Sequence, residues 1–422
     1  MSDSKKKLYI VAVHLGSVRY FMMLADRLRE TYDVAFLITP KTKIKCSPLE
    51  LDSMRALCAE HAFPIREIGT ELKKTIPVPL VGTLAYWRAY QKSCARFFAA
   101  EPCTAIVADE DTNPFTNITL REAARAGAEA RAMQWAALSD LELSSDQRTN
   151  MFKTYGNTGL LSRASLRILR TLSNLLNITA ISGYVIGQGS AERVGVTSQW
   201  VKDMLVAAGV PKDRIRIIGS MEAQDAYETL RAVNQDPARR KKLQTQLRVN
   251  PAQKNVVIFT NTFSTPGVLS TMTKQEQYEY YRKLLQDVRG VLPKDTYGIH
   301  LKMHHRESRS DYAPFAEEFS VVLHDKMTDN AELVALCDLY IAHGSTANLV
   351  PIAMHKDCIF INIAQEIIFE DAKAFFGIPS FVQTHESFVS LLNNWKHGSL
   401  APQYQKATDE KKPLELTRVF LK

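Results

Sequence analysis

Short apolar runs alternate with amphipathic stretches along most of this chain, and that rhythm is its main structural signal. Leu8–Val13 is an apolar run that predicts a first buried strand. Ser17–Glu30 comes next, with Phe21, Leu24, Ala25 and Leu28 at helical spacing. Val34–Ile38, Thr104–Ala108 and Arg131–Trp135 predict further strands, with a helix over Thr116–Ala126 between the last two. Arg193–Val196 and Arg214–Ile218 bracket a helix over Gln199–Ala208, which Gly209 and Pro211 terminate. A polar stretch, Gln224–Gln253, interrupts the rhythm and holds one expected helix, Pro237–Leu247.

The pattern then restarts. Strands are expected at Asn255–Thr260, Tyr297–Lys302, Ser320–Leu323, Leu339–Ala342 and Cys358–Ile361. Helices are expected at Lys274–Arg289, Asn330–Cys337 and Thr346–Met354. Strands that alternate with helices make parallel sheets with crossover connections. The expectation is an α/β protein of two doubly wound, Rossmann-like domains facing a central cleft. Their bounds are 1–222 and 223–400, with a tail, 401–422, packing back on the first domain. No short-period repeat or low-complexity tract breaks this plan.

With 422 residues the chain exceeds one ordinary core. A net charge of +8 and a pI of about 9.0 suit a phosphate-rich ligand or an anionic surface. No nucleic-acid-binding signature accompanies the charge. Six cysteines without CxxC spacing predict reduced, buried thiols and a cytoplasmic setting. No apolar run is long enough to span a membrane. The segment 160–177 predicts a basic amphipathic helix, with Arg163, Arg167 and Arg170 along one side and leucines over much of the rest. Such a helix either packs its apolar side on the first domain or lies on an anionic membrane surface.

The candidate chemistry collects at strand ends, where doubly wound sheets bind ligands. Lys302, His304, His305 and Arg306 come after one strand and could neutralise phosphate charge. Gly344, Ser345, Thr346 and Asn348 come after another and open a helix, a place for an anion or for an ordinary cap. Thr260, Asn261 and Thr262 come after the first strand of the second half, as phosphate contacts or as a plain polar loop. In the first half Asp109, Glu110 and Asp111 come after a strand, and a carboxylate there could deprotonate a hydroxyl or merely cap the turn. His14, Gly16 and Ser17 form the first strand–helix connection and suit an acceptor, although a lone histidine there equally well packs or bonds locally. Walker-type and GxGxxG phosphate loops are missing after the first strand, as are HExxH and DxD metal sites in good context. The sequence therefore requires no metal and no cofactor.

The stretch Lys302-Met303-His304-His305-Arg306-Glu307 resembles the lysine-x-histidine-proline motif of GT-B glycosyltransferases, with His305 in the proline position. Cys337-Asp338-Leu339 through His343-Gly344-Ser345-Thr346-Ala347 is similar to their serine-rich donor motif, and Arg193–Gly219 to the segment before the interdomain linker. Within that superfamily the likeness points to bacterial capsule and surface-polysaccharide transferases of the sialyltransferase-like and CDP-glycerol glycerophosphotransferase-like groups. It implies a sugar moving from a nucleotide-activated donor, a CMP-linked acidic sugar first, to a hydroxyl on a glycan, protein or lipid-linked acceptor. Localisation would be cytoplasmic, at the inner face of the membrane. By the same resemblance His304 assists the nucleotide phosphate, Ser345 and Thr346 bind it, and one of Asp109, Glu110 and Asp111 is the base. His305-Arg306-Glu307-Ser308 also resembles a motif of the non-hydrolysing UDP-sugar 2-epimerases. There the motif lies after the first strand of the second domain, whereas here it lies after the second. The two alternatives are thus such an epimerase and a non-catalytic nucleotide- or glycan-binding scaffold.

Overall fold

The computed structural model describes residues 5–72, 80–134, 163–183, 185–263, 272–304, 307–325, 327–364, 378, 380–402 and 420. The chain divides into two compact units: Met1–Met221 with Lys411–Lys422, and Glu222–Glu410.

Unit 1 holds a parallel sheet of seven strands: β1 (Lys6–Ala12), β2 (Tyr32–Ile38), β3 (Ile65–Glu67), β4 (Ala105–Ala108), β5 (Glu129–Met133), β6 (Arg193–Val196) and β7 (Ile215–Ile217). Their order is β3-β2-β1-β4-β5-β6-β7. The chain starts in mid-sheet, winds outward through β2 and β3, and returns to pair β4 against the other side of β1. The strands interleave with helices that bury one face, as in Leu15–Leu28, whose Val18, Phe21, Leu24, Ala25 and Leu28 enter the core with β1 and β2. Large apolar side chains such as Phe21 and Leu24 each contribute about 1.5–3 kcal/mol on full burial. Phe420, from the far end of the chain, joins this same core. Its carbonyl accepts a hydrogen bond from the buried Arg131 guanidinium, which stands 5.5 Å from the Phe420 ring.

Unit 2 repeats the plan with five parallel strands: β8 (Lys254–Phe259), β9 (Tyr297–Lys302), β10 (Val321–His324), β11 (Leu339–Ala342) and β12 (Asp357–Phe360). Their order is β10-β9-β8-β11-β12. The helix Lys274–Val291 starts with a capping box between Thr273 and Glu276. It lays Tyr281, Leu284, Leu285 and Val288 on the sheet face formed by Val256, Ile258, Ile299 and Leu301.

In both sheets the strand order therefore reverses at one internal pair, β1/β4 in unit 1 and β8/β11 in unit 2. Register sets Val11 beside Ala108 and Ile258 beside Ile341. Within each unit, the loops that leave these paired strands open side by side at the switch point, where a doubly wound sheet receives ligands.

Several elements differ from expectation. The helix expected from Ser17 starts at Leu15, so Gly16 and Ser17 lie in its first turn rather than in a loop. The helix expected over Thr346–Met354 is a 3₁₀ turn, Thr346–Asn348, followed by a short helix, Leu349–Ala353. The polar stretch after Gln224 is largely helical, with Met221–Gln235 preceding Pro237–Gln246. Among the described residues no helix is long and apolar enough to cross a membrane.

Candidate functional site

In unit 2 three strand ends converge. The Thr260 N–H donates to the Lys302 carbonyl at 3.0 Å and so extends the β8–β9 ladder by one rung. The Thr260 hydroxyl accepts from the His304 N–H at 2.9 Å. Glu307 turns back beneath this corner. One of its oxygens accepts from the His304 N–H at 2.9 Å and from the Thr260 hydroxyl. The other accepts from Gln277 Nε2 at 2.7 Å and from the Tyr312 hydroxyl at 2.6 Å. Gln277 in turn accepts from the Phe263 N–H at 2.8 Å. One carboxylate thus ties the ends of β8 and β9 to two helices. Burial pushes the Glu307 carboxyl up from its ordinary range, and the bonds from Thr260, Tyr312, His304 and Gln277 oppose that rise.

Asn261 is held by Tyr281, whose hydroxyl accepts from the Asn261 N–H at 2.5 Å and donates to its carbonyl at 3.2 Å. Lys302 is buried, with Nζ 3.4 Å from the Met303 carbonyl. His304 is half-buried beside it. His305 and Arg306 lie outside the described residues.

At the end of β11, His343 is packed among Phe263, Tyr280 and Tyr281, with ring centroids 4.9, 5.6 and 5.9 Å away. Its Nε2 stands 2.7 Å from the Tyr280 hydroxyl. Burial holds this imidazole down at about 3, so it is neutral at physiological pH. Asn348, expected at the donor, is fully buried and fastens the loop instead. Its Nδ2 donates to the His343 carbonyl at 2.9 Å and its Oδ1 accepts from the Tyr340 hydroxyl at 3.1 Å. Gly344 and Ser345 are left at the rim of this corner, with Ser345 half-buried. The Ser345 carbonyl accepts from the Asn348 N–H at 3.1 Å, where the 3₁₀ turn of Thr346 begins. A buried lysine and a half-buried histidine at adjoining strand ends are groups that can donate to phosphate oxygens. Among the described residues no three His, Cys, Asp or Glu side chains come together as metal ligands.

In unit 1 the switch point brings His14 and the acidic run after β4 to neighbouring strands. His14 caps the first helix: its Nδ1 accepts from the Ser17 N–H at 3.2 Å, and the Ser17 hydroxyl donates to the His14 carbonyl at 2.9 Å. Ser17 is fully buried in this capping box. The three acidic residues separate sharply. Asp111 is fully buried and accepts from the backbone N–H groups of Gly187 at 2.8 Å, Gly189 at 2.9 Å and Ala191 at 3.2 Å. Gly189 is required there, because a Cβ would collide with the Asp111 carbonyl oxygen and the Asn117 amide. Asp111 is therefore a clamp on the segment 187–191. Burial raises its carboxyl to about 6, against the pull of the three N–H bonds. Glu110 forms an ion pair with Lys41, whose side chain is 2% exposed against 24% for Glu110, and also accepts from the Thr112 hydroxyl at 3.3 Å. Asp109 is buried at the edge of the same turn. Glu307, His343, Tyr280, Gln277 and Lys41 carry no role in the sequence pattern, yet the fold gives each of them one. Of these, Lys41 and His343 sit just after strands, and that position was their signal.

No family model matches the sequence, and no curated protein matches it. Solved structures do. UDP-GlcNAc 2-epimerase from Neisseria meningitidis bound to UDP-GlcNAc is similar with a TM-score of 0.58 at 10% identity, over 98% of this chain and 99% of that one. UDP-GlcNAc 2-epimerase from Methanocaldococcus jannaschii gives 0.55 at 12%, over 98% and 99%. The wall teichoic acid polymerase TagF, in crystals soaked with CDPG, gives 0.54 at 11%, over 99% of this chain and 88% of that one. The likeness is one of fold: the chain has the GT-B architecture of two parallel-sheet units.

Proposed function

We propose that this chain is a nucleotide-sugar-dependent glycosyltransferase whose unit 2 binds the donor. The observation that carries the reading is the corner at the ends of the neighbouring strands β8, β9 and β11, where the His304 N–H bonds the Thr260 hydroxyl beside the buried Lys302 and Ser345 follows the adjoining strand, a set of groups suited to phosphate oxygens. In this reading His304 donates to the leaving phosphate, Lys302 balances its charge, and Gly344, Ser345 and Thr346 contact it through backbone and hydroxyl groups. Asn261 and Thr262 line the same edge, and unit 1 presents the acceptor near His14 and Glu110. The ligands of two of the similar structures, UDP-GlcNAc and CDPG, support a pyrimidine nucleotide as the handle. The CMP-linked acidic sugar expected from the sequence is one of the donors to compare.

A second reading, UDP-sugar 2-epimerisation, draws on the overall likeness to two such enzymes. Against it stands the position of Glu307 after β9 rather than β8, unlike the epimerase motif. UDP-GlcNAc incubated alone separates the two: epimerisation without acceptor would establish the second.

The helix Arg163–Leu175 supports membrane contact. It buries Leu169 and Ser173 yet leaves Ile168, Leu175 and the adjoining Leu176 50%, 76% and 54% exposed. Changing Arg163, Arg167 and Arg170 together to Glu is expected to release the protein from anionic vesicles. Undiminished co-sedimentation would remove this contact from the proposal.

The donor reading is tested by thermal shift against CMP, CDP, UDP, GDP and ADP. A ligand at 100-fold its Kd stabilises the native state by about 2.7 kcal/mol. One pyrimidine nucleotide is expected to raise Tm, and His304→Ala to abolish that rise without lowering the unliganded Tm. A flat response to all of them would sink the donor site.

A further inference from the structure

The free edge of the unit 2 sheet brings two like charges together. β10 is an edge strand. Its His324 carbonyl accepts from the Met303 N–H, just past β9, at 3.0 Å. The Leu323 carbonyl, one residue earlier, therefore points the other way, off the edge. Two arginines from distant parts of the chain meet on that one oxygen: Arg248 Nη2 and Arg309 Nη1 each stand 3.4 Å from it. Both residues are exposed, and among the described residues neither has a carboxylate partner. Covering an outward carbonyl on an edge strand needs one donor. It does not account for two guanidinium groups held at long range on the same acceptor.

Each arginine also occupies a position that does not suit it. Arg248 follows the helix Pro237–Gln246 at φ +54. Its N–H bonds the Thr245 carbonyl, and the Val249 N–H bonds that of Gln244. Glycine is the ordinary residue at this left-handed closing position. Arg309 opens the helix Arg309–Glu318, at the end whose dipole disfavours cations. The acidic residue of that first turn, Asp311, accepts from the Ser308 N–H at 3.3 Å. Nor does the nearby sequence supply counter-charge. Residues 237–254 hold six lysines and arginines and no acidic residue, so much of the chain's net charge of +8 is concentrated on the stretch that carries Arg248. Of the six, Arg239 pairs with Glu332 at 3.2 Å. Burial first, with the charge of Arg248 among the lesser causes, holds His300 and His324 below the ordinary imidazole range. That charge is therefore felt in the fold rather than cancelled.

Two guanidinium forks side by side at a helix start call for an anion that can face both. A phosphate group has the charge and enough oxygens to take one fork on each side, whereas a carboxylate fills a single fork. We propose that Arg248 and Arg309 form a phosphate-binding site on the outer edge of unit 2. Lys302 pairs with His324 from the opposite side of β10, so this site is separate from the corner at the β8, β9 and β11 ends. It does not rest on the transferase reading.

The test is calorimetric titration of the full chain with inorganic pyrophosphate at low ionic strength. Wild type is expected to show a binding component that Arg248→Gln and Arg309→Gln each weaken about tenfold or more, as loss of a charge-assisted contact implies. The double variant should lose that component. Arg309→Lys, which keeps the charge without the fork, should fall between Arg309→Gln and wild type. Both positions are exposed, so each Tm should stay close to that of wild type. His304→Ala should retain the component, because it alters the donor corner alone. Absence of pyrophosphate binding by wild type, an unchanged titration in the double variant, or loss of all binding in His304→Ala would overturn the proposal. Co-sedimentation with phosphatidylglycerol vesicles tells the source of the phosphate: a drop in the double variant assigns it to a lipid headgroup, and no change assigns it to a soluble ligand. A flat response to nucleotides with this component intact would remove the donor site and leave this one standing.

Discussion

Replacing Asp111 with Asn tests the division of labour among the three acidic residues after β4. The carboxylate is fully buried and accepts three backbone N–H groups from 187–191. Its carboxyl is raised from the ordinary 3.8 to about 6, mainly by burial. A folded-state pKa above the unfolded one contributes stability that is fully present below pH 3.8 and lost as pH rises through about 6. That displacement corresponds to about 3 kcal/mol. Asn carries no charge, so its contribution is flat across the window. It also has a cost of its own. With its oxygen toward Gly189 and Ala191, its NH₂ faces the Gly187 N–H, donor against donor, at about 1–3 kcal/mol. The variant should be the less stable protein near pH 4. The difference should then move by about 3 kcal/mol in the variant's favour by pH 7. Asp111→Ala, which orphans three N–H groups, should be less stable than Asp111→Asn at every pH. The assay is amide hydrogen exchange over 185–191, compared between proteins at the same pH, with urea melts alongside. A wild-type-to-Asn difference that is constant from pH 4 to 7, or that moves toward wild type, would refute the burial-raised carboxyl, and an Ala variant as stable as the Asn variant would refute the clamp.

Unit 2 responds to acid in the opposite direction. His300 and His324 lie 2.9 Å apart, nitrogen to nitrogen, and His300 also meets Asn255 Oδ1 at 3.2 Å. Burial lowers them to about 4 and about 3. Depressed pKa values give stability that is present above the unfolded value near 6.5 and lost as pH falls through the folded ones. Calorimetry from pH 7 to 4 should show a transition that falls steeply in wild type and less so in His324→Gln; identical slopes would count against the pair. Glu307→Gln should lower Tm by the loss of one or two bonds, about 1–3 kcal/mol. It should also shrink the nucleotide-induced shift more than a remote change of equal stability does, and an undiminished shift would show that Glu307 does not position His304.

The range of the interactions decides what the sequence displays and what it conceals. Buried parallel strands are continuous apolar runs, so β1, β2, β4, β8, β9 and β11 stand out residue by residue. β3 does not, because its three residues, Ile65–Glu67, are at most partly buried at the sheet edge. The helix Pro48–Glu60 was hidden for a related reason: of its thirteen residues, Met54 and Cys58 alone are buried, too few to mark a stripe. At the candidate site the polar residues were visible by their place after strands, yet their partners were not. Asp111 bonds residues 76 to 80 positions further on, and Glu307 bonds Thr260 and Gln277 from 47 and 30 positions back. Spacing within a motif carries no trace of such bonds.

Those distant partners change which residues are free to do chemistry. Each switch point holds one carboxylate that has been drawn inward to fasten loops, Asp111 in unit 1 and Glu307 in unit 2. Each also has a histidine whose ring is engaged by its own surroundings, His14 as a helix cap and His343 in an aromatic nest. Such groups set geometry, since a carboxylate committed to several N–H or O–H donors is a poor proton acceptor for a substrate. In unit 1 Asp109 is buried and Glu110 is part-exposed. Glu110 is the stronger base candidate by this argument: its carboxylate keeps 24% of its surface exposed while Lys41 fixes its direction. The cost of fixing it is a lysine buried to 2% exposure, a charge that would be prohibitive without its partner. A buried cation paired with a part-exposed carboxylate fixes where that carboxylate points, and that is what a base candidate needs.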